Sequence, residues 1–358
     1  MANFWRDKRV FITGHTGFKG SWLTLWLHML GAKVSGFSLP APTNPSLFHL
    51  ARLQGCAQTT TGDIRDLLHV SEAMAAAQPD IVIHMAAQPL AREAYISPVD
   101  TYAVNVMGTA HVLEAVRHIP SVRSVVVVTS DKCYENREWL WGYREDDPMG
   151  GHDPYSSSKG AAELVTSAYR RSFFAANPDN PVGVASVRAG NVIGGGDFAP
   201  DRLIPDFIRA LERDESVSIR NPHAVRPWQF VLEPLSGYLQ IAQLLFEHGS
   251  QYAEGWNLGP ADTDLQTVSQ LCATFNHSLQ KNDVTPVEVR LEPDANAPHE
   301  AAFLRLDISK ARQRLDWVPK MELYTALELT AQWYGGYLNN EDLRALSENQ
   351  IAFYQSLT

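Results

Sequence analysis

The sequence predicts an α/β chain: a doubly wound parallel sheet followed by a smaller C-terminal α/β domain. Three observations predict it. The chain opens on an apolar strand, a glycine-rich turn and a helical pattern. Short runs of β-branched residues, of the kind buried on both faces of a parallel sheet, then alternate with helical patterns as far as Arg188. Beyond Arg188 the texture changes to turn-rich segments with glycine and proline.

Taken in order, the first element is the strand RVFIT at 9–13. It runs into Gly14-His15-Thr16-Gly17-Phe18-Lys19-Gly20 and a helix over 21–30. Strand, glycine turn and helix are the context of a dinucleotide fingerprint, although the spacing here is G-x-x-G-x-x-G. The glycines of such a turn serve the tight bend, the close approach of backbone to a pyrophosphate, and close helix–strand packing. The helix N-terminus adds free N–H groups and a positive dipole end. A bare βα turn with no ligand is the alternative; the position at the head of the chain favours a cofactor.

Residues 32–37 (AKVSGF) read as the second strand. Ser38 stands where an acid would select NAD and a basic residue NADP, so this position leaves the choice open. After a weak strand at 58–61 comes Gly62-Asp63-Ile64-Arg65-Asp66. Asp66 fits the N-cap of a helix over 67–77, and Asp63 is placed to accept from an adenine amino group. The strand DIVIH at 80–84 ends in Met85-Ala86-Ala87-Gln88, small residues on which a flat cofactor can lie. His84 reads as structural. None of the 12 histidines sits in a metal-ligand spacing, so no metal site is expected. A long helix covers 100–117 and a further strand 182–188.

The central stretch is VVVVTSDKCY at 125–134. Ligands of open parallel sheets sit beyond the carboxyl ends of the strands, so Ser130, Asp131 and Lys132 are aimed at one. Tyr155-Ser-Ser-Ser-Lys159 puts a phenol and an ammonium on one face of a helix turn. A phenol of ordinary pKa near ~10 is too weak a base at neutral pH, but a neighbouring cation favours the phenolate. Such a phenolate can take a proton from a hydroxyl as hydride leaves, with Ser130 holding that hydroxyl in line.

Bulk properties exclude other classes. The 358 residues are 45% hydrophobic and 20% charged, ordinary for a globular enzyme. The net charge of -10 argues against nucleic acid or an anionic membrane as partner. Cys56, Cys133 and Cys272 form no C-x-x-C pair and suit a reducing compartment. There is neither a signal-peptide pattern nor an apolar run long enough to span a membrane, so a cytoplasmic location is expected.

Taken together, TGHTGFKG, the TSDK strand end and YSSSK resemble the extended short-chain dehydrogenase/reductase family that works on nucleotide sugars. TSDKCYEN, DPYSSSKGAAE, RAGNVIGGGD and RPWQFVLEP are similar to its CDP-glucose 4,6-dehydratase branch over nearly the whole chain. The resemblance implies a Rossmann-type NAD-binding domain at 1–188, with a return segment about 229–252, and a nucleotide-sugar-binding domain at 189–358. It implies NAD as cofactor, held by the loop Gly14, His15, Thr16, Gly17, Phe18 and Gly20, with Asp63 and Ile64 at the adenine, and Ala86, Ala87, Gln88, Tyr155 and Lys159 along its length. It implies CDP-glucose as substrate, a hydride-transfer triad of Ser130, Tyr155 and Lys159, and a homodimer or homotetramer paired through two long helices.

Relatives acting on dTDP-glucose carry Asp-Glu after the triad hydroxyl; here the pair is Asp131-Lys132, with Asp131 expected as the acid at C6 and Lys132 as the base at C5. Asn191 and Arg226 match diphosphate contacts, though Arg226-Pro227-Trp228 replaces the usual Arg-Asp-Trp. Leu203, Ile204 and Pro205 are expected to wall the base pocket. Arg188 and Arg220 are weaker diphosphate candidates, equally readable as structural ion pairs. Trp139 and Trp141 are readable as a cover for the sugar or as packing anchors. A nucleotide-sugar 4-epimerase is the second enzymatic reading, but it has no need of an acid/base pair beside the triad hydroxyl. A non-enzymatic dinucleotide-binding regulator is the third, and would tolerate loss of Tyr155 or Lys159.

Overall fold

A computed structural model describes residues 2–175, 182–219, 221–261, 264, 266–292 and 303–357. Arg220 and Ala301 therefore lie outside the described residues. Seven parallel strands form one sheet: β1 (Arg9–Thr13), β2 (Lys33–Ser38), β3 (Gln58–Thr61), β4 (Ile81–His84), β5 (Ser124–Val128), β6 (Gly183–Ala189) and β7 (Gly255–Leu258). Their spatial order is β7-β6-β5-β4-β1-β2-β3. The order reverses between β1 and β4, and the crevice at such a switch point is where ligands of this architecture bind.

The helices that concern the site are α1 (Phe18–Met29), α2 (Leu67–Ala77), α3 (Gly108–Arg117), α4 (Pro154–Tyr169), α5 (Leu203–Arg213), α6 (Leu232–His248), α7 (Leu323–Leu338) and α8 (Leu343–Ser356). Alternation along the strands separates two cores. Val10, Ile12, Val126 and Val128 join Trp22, Trp26, Leu235, Leu239 and Trp333 on one face. Phe11, Val82, Val125 and Val127 join Val70, Met74, Val112 and Leu113 on the other. The inner strands β1, β4, β5 and β6 are thus buried on both sides, the physical reason their sequences read as continuous apolar runs.

Several expected elements stand where their local chemistry puts them. Asp66 caps α2 by accepting from the His69 N–H, and Asp153 caps α4 by accepting from the Ser156 N–H. The long helix expected over 100–117 is a helix from Pro98 to Tyr102, a π turn from Ala103 to Met107, and then α3. The return to the sheet runs further than 252, because α6 packs on β5 and β6 and β7 pairs with β6. The last helices also come back to the N-terminal half, with the Trp26 ring set edge-on to Tyr354 at 5.6 Å.

Candidate active site

The glycine turn shows three separate uses of glycine. Gly14 has φ +78°, and a Cβ there would lie 2.8 Å from the Ala86 backbone. A Cβ on Gly20 would lie 2.1 Å from the Gly14 carbonyl oxygen, so this glycine lets α1 close onto the turn. A Cβ on Gly17 would meet only that same oxygen at 3.4 Å, an ordinary contact, so here the bare backbone faces open cleft. The cradle a Cβ would fill, beside the first turn of α1, is the place a dinucleotide pyrophosphate fits.

The remaining residues of the loop divide between cleft and scaffold. Thr16, Phe18 and Lys19 line the cleft. His15 does not: its ring is fully buried, accepts or donates to Ser38 Oγ at 3.1 Å and Thr59 Oγ1 at 3.0 Å, and lies edge-on to Phe48. Burial lowers the His15 pKa to about 4, so the ring stays neutral and serves as a strut. Expected as a cofactor contact, its side chain is instead directed into the fold. Gln88 is likewise turned away, its amide bonded to Leu90 O and Thr101 Oγ1. Ala86 and Ala87 do line the cleft. His84 bridges Thr13 and Thr109, and burial lowers its pKa to about 3, as a structural histidine requires. Ile64 lines the cleft while its side chain packs on Gly108. Asp63 is there too, but both its oxygens already accept from Arg65.

The cleft has a volume of about 750 Å³ and runs from this loop to the C-terminal half. Ser130, Asp131, Lys132, Tyr155, Lys159, Asn191, Leu203, Ile204, Pro205 and Arg226 all line it. A larger hollow of about 890 Å³ beside Asp214, Asp283 and Glu288 gathers none of the motif residues. Ser130 lies two residues beyond β5 and caps a short turn: its Oγ accepts from the Lys132 N–H at 3.2 Å and donates to Asp131 Oδ1 at 3.0 Å. Asp131 and Lys132 form no salt bridge with each other within the described residues. The Lys132 ammonium instead stands 6.0 Å from the Tyr155 ring centre. Burial raises the Asp131 pKa, against the pull of Lys132, the Ser130 hydroxyl and Arg226. A raised carboxyl pKa is what a proton donor needs.

Burial pushes the Tyr155 phenol up to about 12, opposed by hydrogen bonding to Ser130 and by the charge of Arg202. Burial, with repulsion from Lys19, brings the Lys159 ammonium down to about 8. Lys19 itself comes down to about 8 by burial and the nearby charge of Arg202. Lys19, Arg202 and its partner Asp197 were not anticipated from sequence, although a charged residue inside the glycine turn was a signal available at 19. Behind the site, Glu163 of α4 accepts from Arg188 at 2.8 Å, Thr129 at 2.5 Å and Ser186 at 2.7 Å. Arg188 also donates to the Tyr134 hydroxyl at 2.6 Å. Arg188 is 4% exposed and ties β6, α4 and the turn after β5 together; it is a structural ion pair, not a diphosphate contact. Trp139 and Trp141 do not line the cleft. Trp139 stacks on Tyr143 at 5.4 Å and Tyr143 on Tyr134 at 5.2 Å, a packing column beside the site.

A doubly wound sheet whose glycine turn, strand-end serine and Tyr-x-x-x-Lys helix open onto one cleft defines the extended short-chain dehydrogenase/reductase class. Residues 11–330 match the model of the family described as GDP-mannose 4,6 dehydratase. The chain belongs to this family of nucleotide-sugar dehydratases. It is 52% identical to the CDP-glucose 4,6-dehydratase of Salmonella typhimurium over 99% of this chain and 98% of that one. It is 27% identical to a dTDP-glucose 4,6-dehydratase of Xanthomonas campestris, over 90% of this chain and 92% of that one. A solved structure of the dTDP-glucose 4,6-dehydratase of Streptomyces venezuelae, with NAD and TYD bound, shares the fold with a TM-score of 0.76. The two are 23% identical, over 93% of this chain and 98% of that one.

Proposed function

We propose that the chain is a lyase that converts CDP-glucose to CDP-4-dehydro-6-deoxyglucose and water, using bound NAD. The observation that carries this reading is the convergence of Asp131 and Lys132 with Ser130, Tyr155 and Lys159 on one cleft. The near full-length likeness to a CDP-glucose 4,6-dehydratase supports the choice of nucleotide. An epimerase would leave the acid/base pair without work.

The cleft fits the cofactor at the Gly14–Gly20 turn, with Asp63 and Ile64 at one end and Ala86, Ala87, Tyr155 and Lys159 along it. Held there, NAD would supply a reversible hydride acceptor for C4 and C6 of the sugar. Tyr155 takes the C4 hydroxyl proton, with Ser130 holding the oxygen in line. The ketone formed at C4 acidifies the C5 proton, which Lys132 removes. Asp131, whose pKa burial raises, gives its proton to the C6 hydroxyl, which leaves as water. Asn191 and Arg226 bind the diphosphate, Arg226 by its planar fork of donors, and Leu203, Ile204 and Pro205 wall the cytosine.

The reading places the division between cofactor and substrate domains near 188, with 232–258 returning to the first. It also pairs two copies through the helices of 98–117 and α4. These lie side by side and expose Val99, Met107 and Leu164. No helix among the described residues is long and apolar enough to cross a membrane; the proposed place of action is the cytoplasm. Turnover of CDP-, dTDP-, UDP- and GDP-glucose with catalytic NAD tests the function. A 4-keto-6-deoxy product from CDP-glucose without build-up of NADH is expected. A C4 epimer, or equal turnover of all four, would overturn it.

A further inference from the structure

The two walls of the cleft come from different halves of the chain, and an ion pair joins them at the rim. Arg92 Nη1 donates to Asp201 Oδ1 at 3.2 Å, and both residues line the cleft. Their side chains are 37% and 41% exposed, so the pair faces solvent on one side and the cleft on the other. Arg92 stands in the first turn of the helix Ala91–Ile96, which packs on α4, the helix of Tyr155 and Lys159. The segment ahead of it is braced: the Asn105 side-chain oxygen accepts from the Gln88 N–H at 2.9 Å, and Gln88 Oε1 accepts from the Leu90 N–H at 2.5 Å.

Asp201 belongs to the other wall. It stands two residues before α5, whose first turn holds Leu203, Ile204 and Pro205. Its loop is fastened to that wall by Arg202, which donates to Asp197 Oδ2 at 2.8 Å, and by Arg209, which donates to the Phe198 carbonyl at 3.1 Å. Tyr334 of α7 donates to the Asp197 carbonyl at 2.5 Å. The bridge therefore joins two braced elements rather than two loose loops. Closing it sets the spacing of the walls, and a half-exposed pair is weak enough for an incoming substrate to part it.

We propose that Arg92 and Asp201 are positioning residues: their ion pair straps the two walls together over the bound hexose and keeps the half-reacted sugar in the cleft. The inference rests on the dehydratase reading, in which C4 is oxidised before water is lost. In that interval the sugar is a ketone and its hydride is held by the cofactor. A ketone that escapes cannot take the hydride back, so each escape leaves one enzyme reduced and idle. A strap across the rim slows that escape while the C5 and C6 steps are completed.

The test compares wild type, Arg92→Gln, Arg92→Lys, Asp201→Asn and the double variant Arg92→Gln/Asp201→Asn, each with CDP-glucose and NAD. Asparagine suits position 201, where φ is +58°. In Arg92→Gln and Asp201→Asn, kcat/KM is expected to fall by about two- to fivefold. Free CDP-4-keto-glucose, trapped with borodeuteride as CDP-hexose labelled at C4, should appear in step with reduced cofactor. Arg92→Lys should keep most of the wild-type behaviour. The double variant should leak no more than either single variant, since the same one bridge is lost in each. Losses that multiply in the double variant, or a lower rate with no trapped ketone, overturn the strap and leave two independent residues. Were wild type itself to form no 4-keto-6-deoxy sugar, the dehydratase reading would fall, and the strap with it.

Discussion

Asp131 and Lys132 are adjacent in sequence yet do not pair, and that separation decides what each can do. An ion pair would favour the ionised carboxyl, the wrong state for an acid at C6. The short turn capped by Ser130 prevents it by giving Asp131 Oδ1 a neutral donor and sending the Lys132 ammonium toward the Tyr155 ring. Gly190 completes the fit, since a Cβ there would come within 3.1 Å of Asp131 Oδ2. Asp131→Asn keeps the shape of this turn but removes the proton to be donated. Oxidation at C4 should therefore proceed while loss of water slows by about 10²-fold or more. Reduced cofactor then accumulates on the enzyme, visible in its absorption during a single turnover. Equal loss of both steps would remove Asp131 from the role of acid at C6.

At the scale of elements, what was legible in the sequence follows from burial and capping. The strands β1, β4, β5 and β6 declare themselves because both faces are covered, and α2 and α4 because Asp66 and Asp153 cap them. The residues Ser130 to Lys132 and Tyr155 to Lys159 were legible because a strand end and a helix turn fix where side chains point. β7 was not: Gly255–Leu258 is four residues with no period, and only its pairing with β6 makes it a strand. Arg202 and Asp197 were not, because nothing local tells which residues of a turn-rich segment line the cleft. His15 was misplaced because the space over Gly36, which its ring fills, is made by the neighbouring strand.

One element-scale contact has a measurable consequence. Glu233 of α6 is 1% exposed and accepts from the Lys320 and Met321 N–H groups and from Tyr354 of α8 at 2.8 Å. Burial raises its pKa to about 7 despite those bonds. The folded chain thus holds this proton more tightly than the unfolded chain, so stability is greatest below the unfolded value of 4.5 and falls as pH rises to about 7. The loss amounts to at most about 3 kcal/mol. A glutamine keeps the two amide bonds and can donate to Tyr354. Denaturant unfolding of Glu233→Gln should therefore lose most of this decline between pH 5 and 7. An unchanged slope would show that another group carries it.

For the molecule as a whole, the question is what covers the face formed by the helices of 98–117 and α4. Val99 is 81%, Leu164 61% and Met107 51% exposed, while the opposite faces of the same helices are packed into the sheet. Apolar surface gathered on neighbouring helices marks an interface when it is contiguous and rimmed by polar groups. A two-fold pairing would set these helices against their copies and bury the same patch twice. It would also stiffen α4, whose first two turns carry Tyr155 and Lys159. Leu164→Glu puts a charge in the centre of that patch. On the proposed pairing the wild type sediments as a dimer or larger and Leu164→Glu as a smaller species, while the Asp131–Lys132 turn and the cleft stay intact. The proposed catalytic groups line the cleft of a single chain, so the monomer should retain CDP-glucose turnover, with reduced thermal stability. A variant that still sediments as a dimer would place the interface elsewhere.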